Sequence, residues 1–173
     1  LGASFLLGKI AIGDWLTGLI VDRFAGVVVA QLYSLGWFRR MTDVRRVLGE
    51  LFPGAAVHVT TDDLAARLEG FTLPAAPVPP GVVVTEHGAK YRVNFATGHK
   101  TGFFCDQREN RRAIAALAPG RTMLDLCCYT GGFAVQAALA GAKRVTGVDL
   151  DEEALETARR NAKLNKAKID FLH

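Results

Sequence analysis

The chain has 173 residues, half of them hydrophobic, which excludes an intrinsically disordered protein and allows a folded core. Its net charge of +4 permits an anionic partner without requiring one, and three cysteines, an odd number, exclude a disulfide framework. We therefore expect reduced thiols and a cytoplasmic protein. The hydrophobic start is interrupted by Lys9 and Asp14 and lacks the features of a signal peptide, so we expect no membrane span.

The first part of the chain predicts a small α+β domain. Residues 18–32 are rich in Val and Ile and predict two strands around a turn at Ala25-Gly26. Residues 38–53 carry apolar side chains at helical spacing and end at a proline, and "AAVHVTT" (55–61) predicts another strand. Four prolines within 72–81 indicate a linker, so we expect a first domain over 1–75.

The rest of the chain predicts a β-hairpin followed by alternating strands and helices. Residues 76–98 comprise the linker and a hairpin that turns at His87-Gly88. A helix ending at Pro119-Gly120 then precedes the alternating elements: strand 122–127, helix 132–140, strand 144–150, helix 152–164 capped by Asp151, and a third strand starting in "IDFLH". This order is typical of a parallel, doubly wound α/β sheet over 99–173.

The stretch "YTGGF" (129–133) forms the turn between the first strand and helix of this sheet. Its glycines lack the G-x-G-x-x-G spacing, which disfavours NAD. Gly131 and Gly132 would let the backbone approach a ligand at the helix N-terminus, and Asp149 would accept hydrogen bonds from ribose hydroxyls. S-adenosylmethionine suits both features. Alternatively, the glycines only shorten a tight turn and Asp149 caps the next helix; the spacing alone leaves both interpretations open.

Three motifs carry a family resemblance: "TGHKTGFFCDQRENRR", "LDLCCYTGGFAVQAA" and "VTGVDLDEEALETARRNAKLN". They resemble successive motifs of the class I methyltransferases that modify 23S ribosomal RNA. The closest group is the cytosine-5 methyltransferases that usually carry an N-terminal PUA domain. "LTGLIVDRFAGVVVAQL" and "TEHGAKYRVNF" are similar to the central α+β domain and hairpin of that group. The resemblance implies a Rossmann-like class I methyltransferase fold after a small α+β domain.

The resemblance also implies a set of residues that bind S-adenosylmethionine. Asp149 would hold the ribose, Leu150 would lie against the adenine, and Arg108 would meet a carboxylate in a two-pronged hydrogen bond. The residues around the methionine and sugar would be Asp125, Tyr129, Thr130, Gly131, Gly132 and Phe133, and the loop closing over the methionine end would contain Thr101, Phe104, Gln107 and Arg108. The alternative for "DQRENRR" is an ordinary solvated helix start.

The sequence departs from that group at both ends. It lacks the PUA domain, and it stops before the remaining strands, the D-P-P loop and the cysteine that attacks cytosine. We therefore expect an incomplete sheet and a chain that, as given, is incomplete for catalysis, and we assign no catalytic residue and no metal ligand. A hydrophobic strand edge left without a neighbour would favour association, for example as a homodimer. Cys127 and Cys128 follow a strand that we expect to be buried, and they are interpreted as small packing residues.

The resulting prediction is an S-adenosylmethionine-dependent enzyme that methylates cytosine carbon 5 in 23S ribosomal RNA. The basic pairs His99-Lys100, Arg111-Arg112 and Lys143-Arg144 could hold RNA phosphates. Two alternatives remain open: a relative that methylates guanine N7, and a nonenzymatic module that binds RNA or senses S-adenosylmethionine.

Overall fold

The structure is a computed structural model that describes residues 7–10, 17–96 and 101–173. These residues form two compact units. One combines the chain up to Val82 with 93–105, and the other combines Val83–Arg92 with Asp106–His173. The hairpin residues 83–92 thus belong with the second unit, whereas the division into domains 1–75, 76–98 and 99–173 stays a prediction.

The first unit contains a four-stranded sheet in the order β1-β2-β3-β4. Its strands are β1 Leu7–Ile10, β2 Leu19–Phe24, β3 Val27–Leu32 and β4 Ala56–Thr61. β3 pairs antiparallel with β2 and parallel with β4. The predicted turn between β2 and β3 is confirmed, and Ala25 adopts a positive φ of 53° there. The strand predicted over 55–61 is confirmed as β4.

The helices of the first unit differ in part from the prediction. They are α1 Leu35–Arg39, α2 Met41–Leu51 and α3 Asp63–Glu69. The prediction of a single helix over 38–53 is wrong. Helix α1 begins earlier than predicted, because the Ser34 side chain accepts a hydrogen bond from the Trp37 N–H. Arg40 is not helical and separates α1 from α2. α3 was not predicted. Residues 71–81 contain no helix or strand, as the prolines indicated.

The second unit contains the hairpin and a parallel sheet in the order β7-β8-β9. Its strands are β5 Val82–Glu86, β6 Ala89–Val93, β7 Thr122–Leu126, β8 Arg144–Val148 and β9 Asp170–Leu172. Its helices are α4 Arg108–Leu117, α5 Gly132–Leu139 and α6 Glu152–Leu164, with a short 3₁₀ turn at Cys105–Gln107 before α4. The predicted hairpin turn, the alternation and the parallel sheet are confirmed.

The strand β7 is less buried than its apolar sequence predicted. Met123 packs with α5 and β8 in a small cluster of alanines and Val145. On the opposite face of the strand, Leu124 is 59% exposed and Leu126 is 66% exposed. The expectation of a fully buried strand is wrong for that face, because α5 covers only the side that carries Met123. Among the described residues, no helix is long and apolar enough to cross a membrane.

Candidate functional site at the glycine turn

The glycine turn, residues 127–133, connects β7 to α5 and has an unusual backbone. Cys127 and Tyr129 adopt positive φ angles of 56° and 50°, and Gly131 follows with a φ of 77°. Positive φ is uncommon for residues other than glycine and costs about 1–3 kcal/mol at each position. Such a conformation persists only where the surroundings fix it, so the contacts around this turn are informative.

Two carboxylates fix the two ends of the turn. Asp149 follows β8, and its Oδ2 accepts a hydrogen bond from the Tyr129 N–H at 2.7 Å. Asp125 lies in β7, and its Oδ2 accepts one from the Ala134 N–H at 3.0 Å. Both side chains therefore lie at the carboxyl ends of adjacent parallel strands, where open α/β sheets bind ligands.

The interpretation of Asp149 as the cap of the next helix is wrong. Asp151 is the N-cap of α6, and its side chain accepts hydrogen bonds from the Glu153 and Ala154 N–H groups. Asp149 instead joins the glycine turn to this cap, since its Oδ1 accepts a hydrogen bond from the Asp151 N–H at 3.0 Å. The predicted capping of α6 by Asp151 is confirmed.

Burial perturbs the carboxyl group of Asp125. Loss of solvent raises its pKa from 3.8 to about 6, the hydrogen bond from the Ala134 N–H opposes this shift, and the nearby charge of Asp149 adds to it. The ends of β7 and β8 thus carry two carboxyl groups that repel each other. A cationic group placed between them would relieve the repulsion.

The packing of the protein itself leaves little room for a side chain at either glycine. A Cβ atom on Gly131 would lie 3.2 Å from the Cβ of Ala158 in α6, and one on Gly132 would lie 3.0 Å from the Cδ of Arg111 in α4. This close packing supports the tight-turn interpretation. The N–H groups of Gly132 and Phe133 nevertheless have no acceptor among the described residues, so they can still meet a ligand. Ligand contact at the glycines stays a prediction.

The remaining predicted site residues are divided between the two units. Leu150 follows Asp149 and is 88% exposed. Gln107 and Arg108 stand at the start of α4, whereas Thr101 and Phe104 belong to the first unit. Thr101 is buried there, and its Oγ1 donates a hydrogen bond to Asp22 Oδ2 at 2.6 Å.

The prediction that Arg111 could hold an RNA phosphate is wrong. Its guanidinium makes a two-pronged ion pair with Glu86, with Nε–Oε1 and Nη2–Oε2 distances of 2.6 and 2.7 Å. The two side chains are 3% and 0% exposed, so Arg111 cannot reach a phosphate. Arg112 is exposed and lies 3.9 Å from Glu109 Oε2, and Arg144 is exposed and paired with Asp170. Lys143 is exposed. His99 and Lys100 lie outside the described residues.

Three further residues that were not predicted from the sequence lie behind the glycine turn. Tyr91 and Asn161 are fully buried and donate hydrogen bonds to the carbonyl oxygens of Gly132 and Thr130. The third, Glu86, shares the inward face of the hairpin with Tyr91. Buried and exposed positions alternate along β5 and place Glu86 on the buried face, where a charge requires a partner. The three consecutive valines at the start of β5 hide this alternation in the sequence.

The thiol of Cys128 is not activated. None of the three cysteines forms a disulfide. Burial, followed by the nearby carboxylates of Asp125 and Asp149, raises the pKa of the Cys128 thiol to about 12. Cys128 is confirmed as a buried packing residue. Cys127 is exposed, so its interpretation as a packing residue is wrong; its positive φ turns it out of the strand. Across the described residues, no group of three His, Cys, Asp or Glu side chains could hold a metal ion.

The family profile of S-adenosylmethionine-dependent methyltransferases matches residues 12–172. The chain belongs to this family. The match includes both strands that end at Asp125 and Asp149 and the turn between β7 and α5. The class I α/β fold and the predicted cofactor, S-adenosylmethionine, are thereby confirmed at the level of the family.

Two curated methyltransferases illustrate the similarity. The chain is 40% identical over 157 residues to ribosomal RNA large subunit methyltransferase I of Klebsiella pneumoniae strain 342, covering 88% of this chain and 39% of that protein. It is 38% identical over 165 residues to the protein of the same name from Erwinia tasmaniensis, covering 92% and 42%. The chain thus spans about two fifths of the length of these relatives.

A solved structure supports the methyltransferase fold. A SAM-dependent methyltransferase from Streptococcus mutans superposes with a TM-score of 0.74 over 89% of this chain and 41% of its own. Its sequence identity to this chain is 24%, so the likeness concerns the fold alone.

Proposed function

We propose that this protein transfers a methyl group from S-adenosylmethionine to carbon 5 of a cytosine in 23S ribosomal RNA. The observation that carries the proposal is the family match together with the similarity to proteins named ribosomal RNA large subunit methyltransferase I. The choice of cytosine carbon 5 rests on the motif "GHKTGFFCDQR" within the sequence.

The chemistry of the glycine turn fits the cofactor. A carboxylate offers about four acceptor positions, and Asp149 uses one on each oxygen for backbone N–H groups, which leaves capacity for ribose hydroxyls. The open N–H groups of Gly132 and Phe133, at the positive end of α5, suit the methionine carboxylate. Exposed Leu150 offers an apolar surface beside Asp149 for the adenine ring.

The cationic part of the cofactor would lie near Asp125, with Tyr129, Thr130 and Gly131 forming the wall of the turn. A sulfonium or ammonium charge near Asp125 would favour its ionised form and so lower the raised pKa. The residues proposed to close over the methionine end are Gln107 and Arg108, at the start of α4.

The bound cofactor supplies an electrophilic methyl group, and the protein contributes alignment more than acid or base chemistry. Placing the two reactants at the right distance and angle can supply a large part of the rate. A target cytosine must leave its base stack to reach the methyl group. Cys128 is protonated at neutral pH, so we assign it no nucleophilic role. Exposed Arg112 and Lys143 are candidates for phosphate contacts.

The test is to incubate the full-length protein with labelled S-adenosylmethionine and unmodified 23S RNA, digest the RNA, and identify the methylated nucleoside by mass spectrometry. We expect 5-methylcytidine. The appearance of 7-methylguanosine instead would overturn the assignment of the base. Cofactor binding without any RNA methylation would overturn the enzymatic proposal and favour the nonenzymatic module.

A further inference from the structure

We propose that the β5–β6 hairpin, together with Arg111 and Asn161, positions the glycine turn for cofactor binding. Cofactor affinity would then depend on Tyr91, on Asn161 and on the pair of Glu86 with Arg111, none of which needs to touch the cofactor. This inference rests on the proposed function in one respect, namely that S-adenosylmethionine binds at the glycine turn.

Tyr91 connects the hairpin directly to the start of α5. Its side chain is 0% exposed, and its hydroxyl donates a hydrogen bond to the Gly132 carbonyl oxygen at 3.1 Å. Gly132 is the first residue of the helix whose open N–H groups face the proposed ligand. The Tyr91 hydroxyl thus holds the peptide group that follows Gly132, whose N–H belongs to Phe133 and is proposed to bind the ligand.

Asn161 connects the same hairpin to the middle of the turn. Its Oδ1 accepts a hydrogen bond from the Arg92 N–H at 2.8 Å, and its Nδ2 donates one to the Thr130 carbonyl oxygen at 3.0 Å. The side chain is 0% exposed. A single amide therefore links β6, α6 and the turn.

The Glu86–Arg111 pair supports the turn from the side of α4. The Cδ of Arg111 lies close to Gly132, and its guanidinium carbon lies 6.0 Å from the centre of the Phe133 ring. The Glu86 carbonyl oxygen also accepts a hydrogen bond from Gln136 Nε2 at 2.8 Å, which ties β5 to α5. The Glu86–Arg111 pair and the Gln136 side chain together fix the first two turns of α5 against the hairpin.

These contacts explain how the turn keeps its strained backbone. The positive φ angles of Cys127 and Tyr129 are unfavourable on their own and require support from outside the turn. If that support weakens, the turn samples other conformations, and each lowers the fraction of protein that can bind. Affinity is lost even though the protein remains folded.

The experiment compares the affinity of Tyr91→Phe and Asn161→Ala variants for S-adenosylhomocysteine with that of the unaltered protein. Calorimetry is performed at a temperature where thermal unfolding curves show each variant to be folded. Under that condition a merely structural loss of stability leaves the dissociation constant unchanged. We expect the dissociation constant to rise about three- to tenfold in each variant, as for the loss of one hydrogen bond.

Two matched controls separate positioning from stability. Asn165 lies one helical turn after Asn161. Its Oδ1 accepts a hydrogen bond from the Lys90 N–H at 2.8 Å, and its Nδ2 donates to the Lys90 carbonyl oxygen at 2.6 Å and to the Asn161 carbonyl oxygen at 2.8 Å. None of these bonds reaches the glycine turn. Val84 is 0% exposed in the hairpin. Asn165→Ala and Val84→Ala should lower the unfolding temperature while changing the dissociation constant less than about twofold.

The outcomes are distinct. If Asp149→Ala weakens binding but Tyr91→Phe and Asn161→Ala bind like the unaltered protein, the positioning role is overturned and the proposed site stands. Equal weakening by Asn165→Ala and Val84→Ala would also overturn it, because the hairpin would then act only through stability. If the unaltered protein does not bind, the proposed function and this inference fall together.

Discussion

Glu86 and Arg111 face each other through two hydrogen bonds of 2.6 and 2.7 Å, with both side chains almost completely removed from solvent. The geometry is the two-pronged one that suits a guanidinium and a carboxylate. Because a buried charge without its partner is strongly unfavourable, the pair is expected to be intolerant of single neutralisation.

Glu86→Gln should lower the free energy of unfolding by about 3–5 kcal/mol, because it leaves the Arg111 charge buried without a counter-ion. The measurement is chemical denaturation monitored by circular dichroism. The control is Asp170→Asn, which removes an exposed ion pair with Arg144 whose side chains are 69% and 60% exposed. That change should cost less than about 1 kcal/mol. Similar losses in the two variants would contradict the structural role of the buried pair.

Asp149→Ala should weaken binding of S-adenosylmethionine about ten- to a hundredfold, since it removes an ionised acceptor for the ribose and the support of the Tyr129 N–H. Calorimetric titration measures this directly. Asp151→Ala is the control: it removes the cap of α6 and should cost about 1 kcal/mol of stability while affinity stays within about twofold. Unchanged affinity in Asp149→Ala would rule out the ribose assignment.

Most of the second unit could be predicted from sequence, because apolar runs and helical stripes alternate there and Asp151 marks a helix start. α3 was missed because it has only seven residues and depends on its ends, capped by Asp62 and terminated by the left-handed Gly70. Glu86 and Arg111 are 25 positions apart, and no local pattern reports which distant charges will meet. The positive φ angles of Cys127 and Tyr129 could not be predicted either, since the backbone preferences of these residues favour negative φ.

Asp125 should make stability depend on pH. Its folded pKa of about 6 lies above its ordinary value of 3.8, so the folded state binds the proton more tightly than the unfolded state. The contribution of this group to stability is therefore fully present below pH 4 and is lost as the pH rises to about 6. Asp125→Asn should remove this dependence and gain about 1–3 kcal/mol relative to the unaltered protein at pH 7. Denaturation curves at several pH values test this, and a difference that is constant with pH would contradict it.

The two adjacent cysteines should differ in reactivity. Cys127 is exposed, whereas Cys128 is buried with its pKa raised to about 12, so a thiol-alkylating reagent should modify Cys127 in the folded protein and spare Cys128. Peptide mass spectrometry after timed alkylation locates the adducts, and denatured protein serves as the control in which Cys128 also reacts. A variant of the full-length enzyme with both Cys127→Ser and Cys128→Ser should retain RNA methylation. Preferential alkylation of Cys128 would show that its thiol is activated.

The central claim is that S-adenosylmethionine binds at the glycine turn between the ends of β7 and β8. A crystal structure of the protein with S-adenosylhomocysteine tests it most directly. We expect the ribose hydroxyls within hydrogen-bond distance of the Asp149 carboxylate and the methionine carboxylate at the N–H groups of Gly132 and Phe133. A ligand bound elsewhere, or one whose ribose lies away from Asp149, would contradict the account.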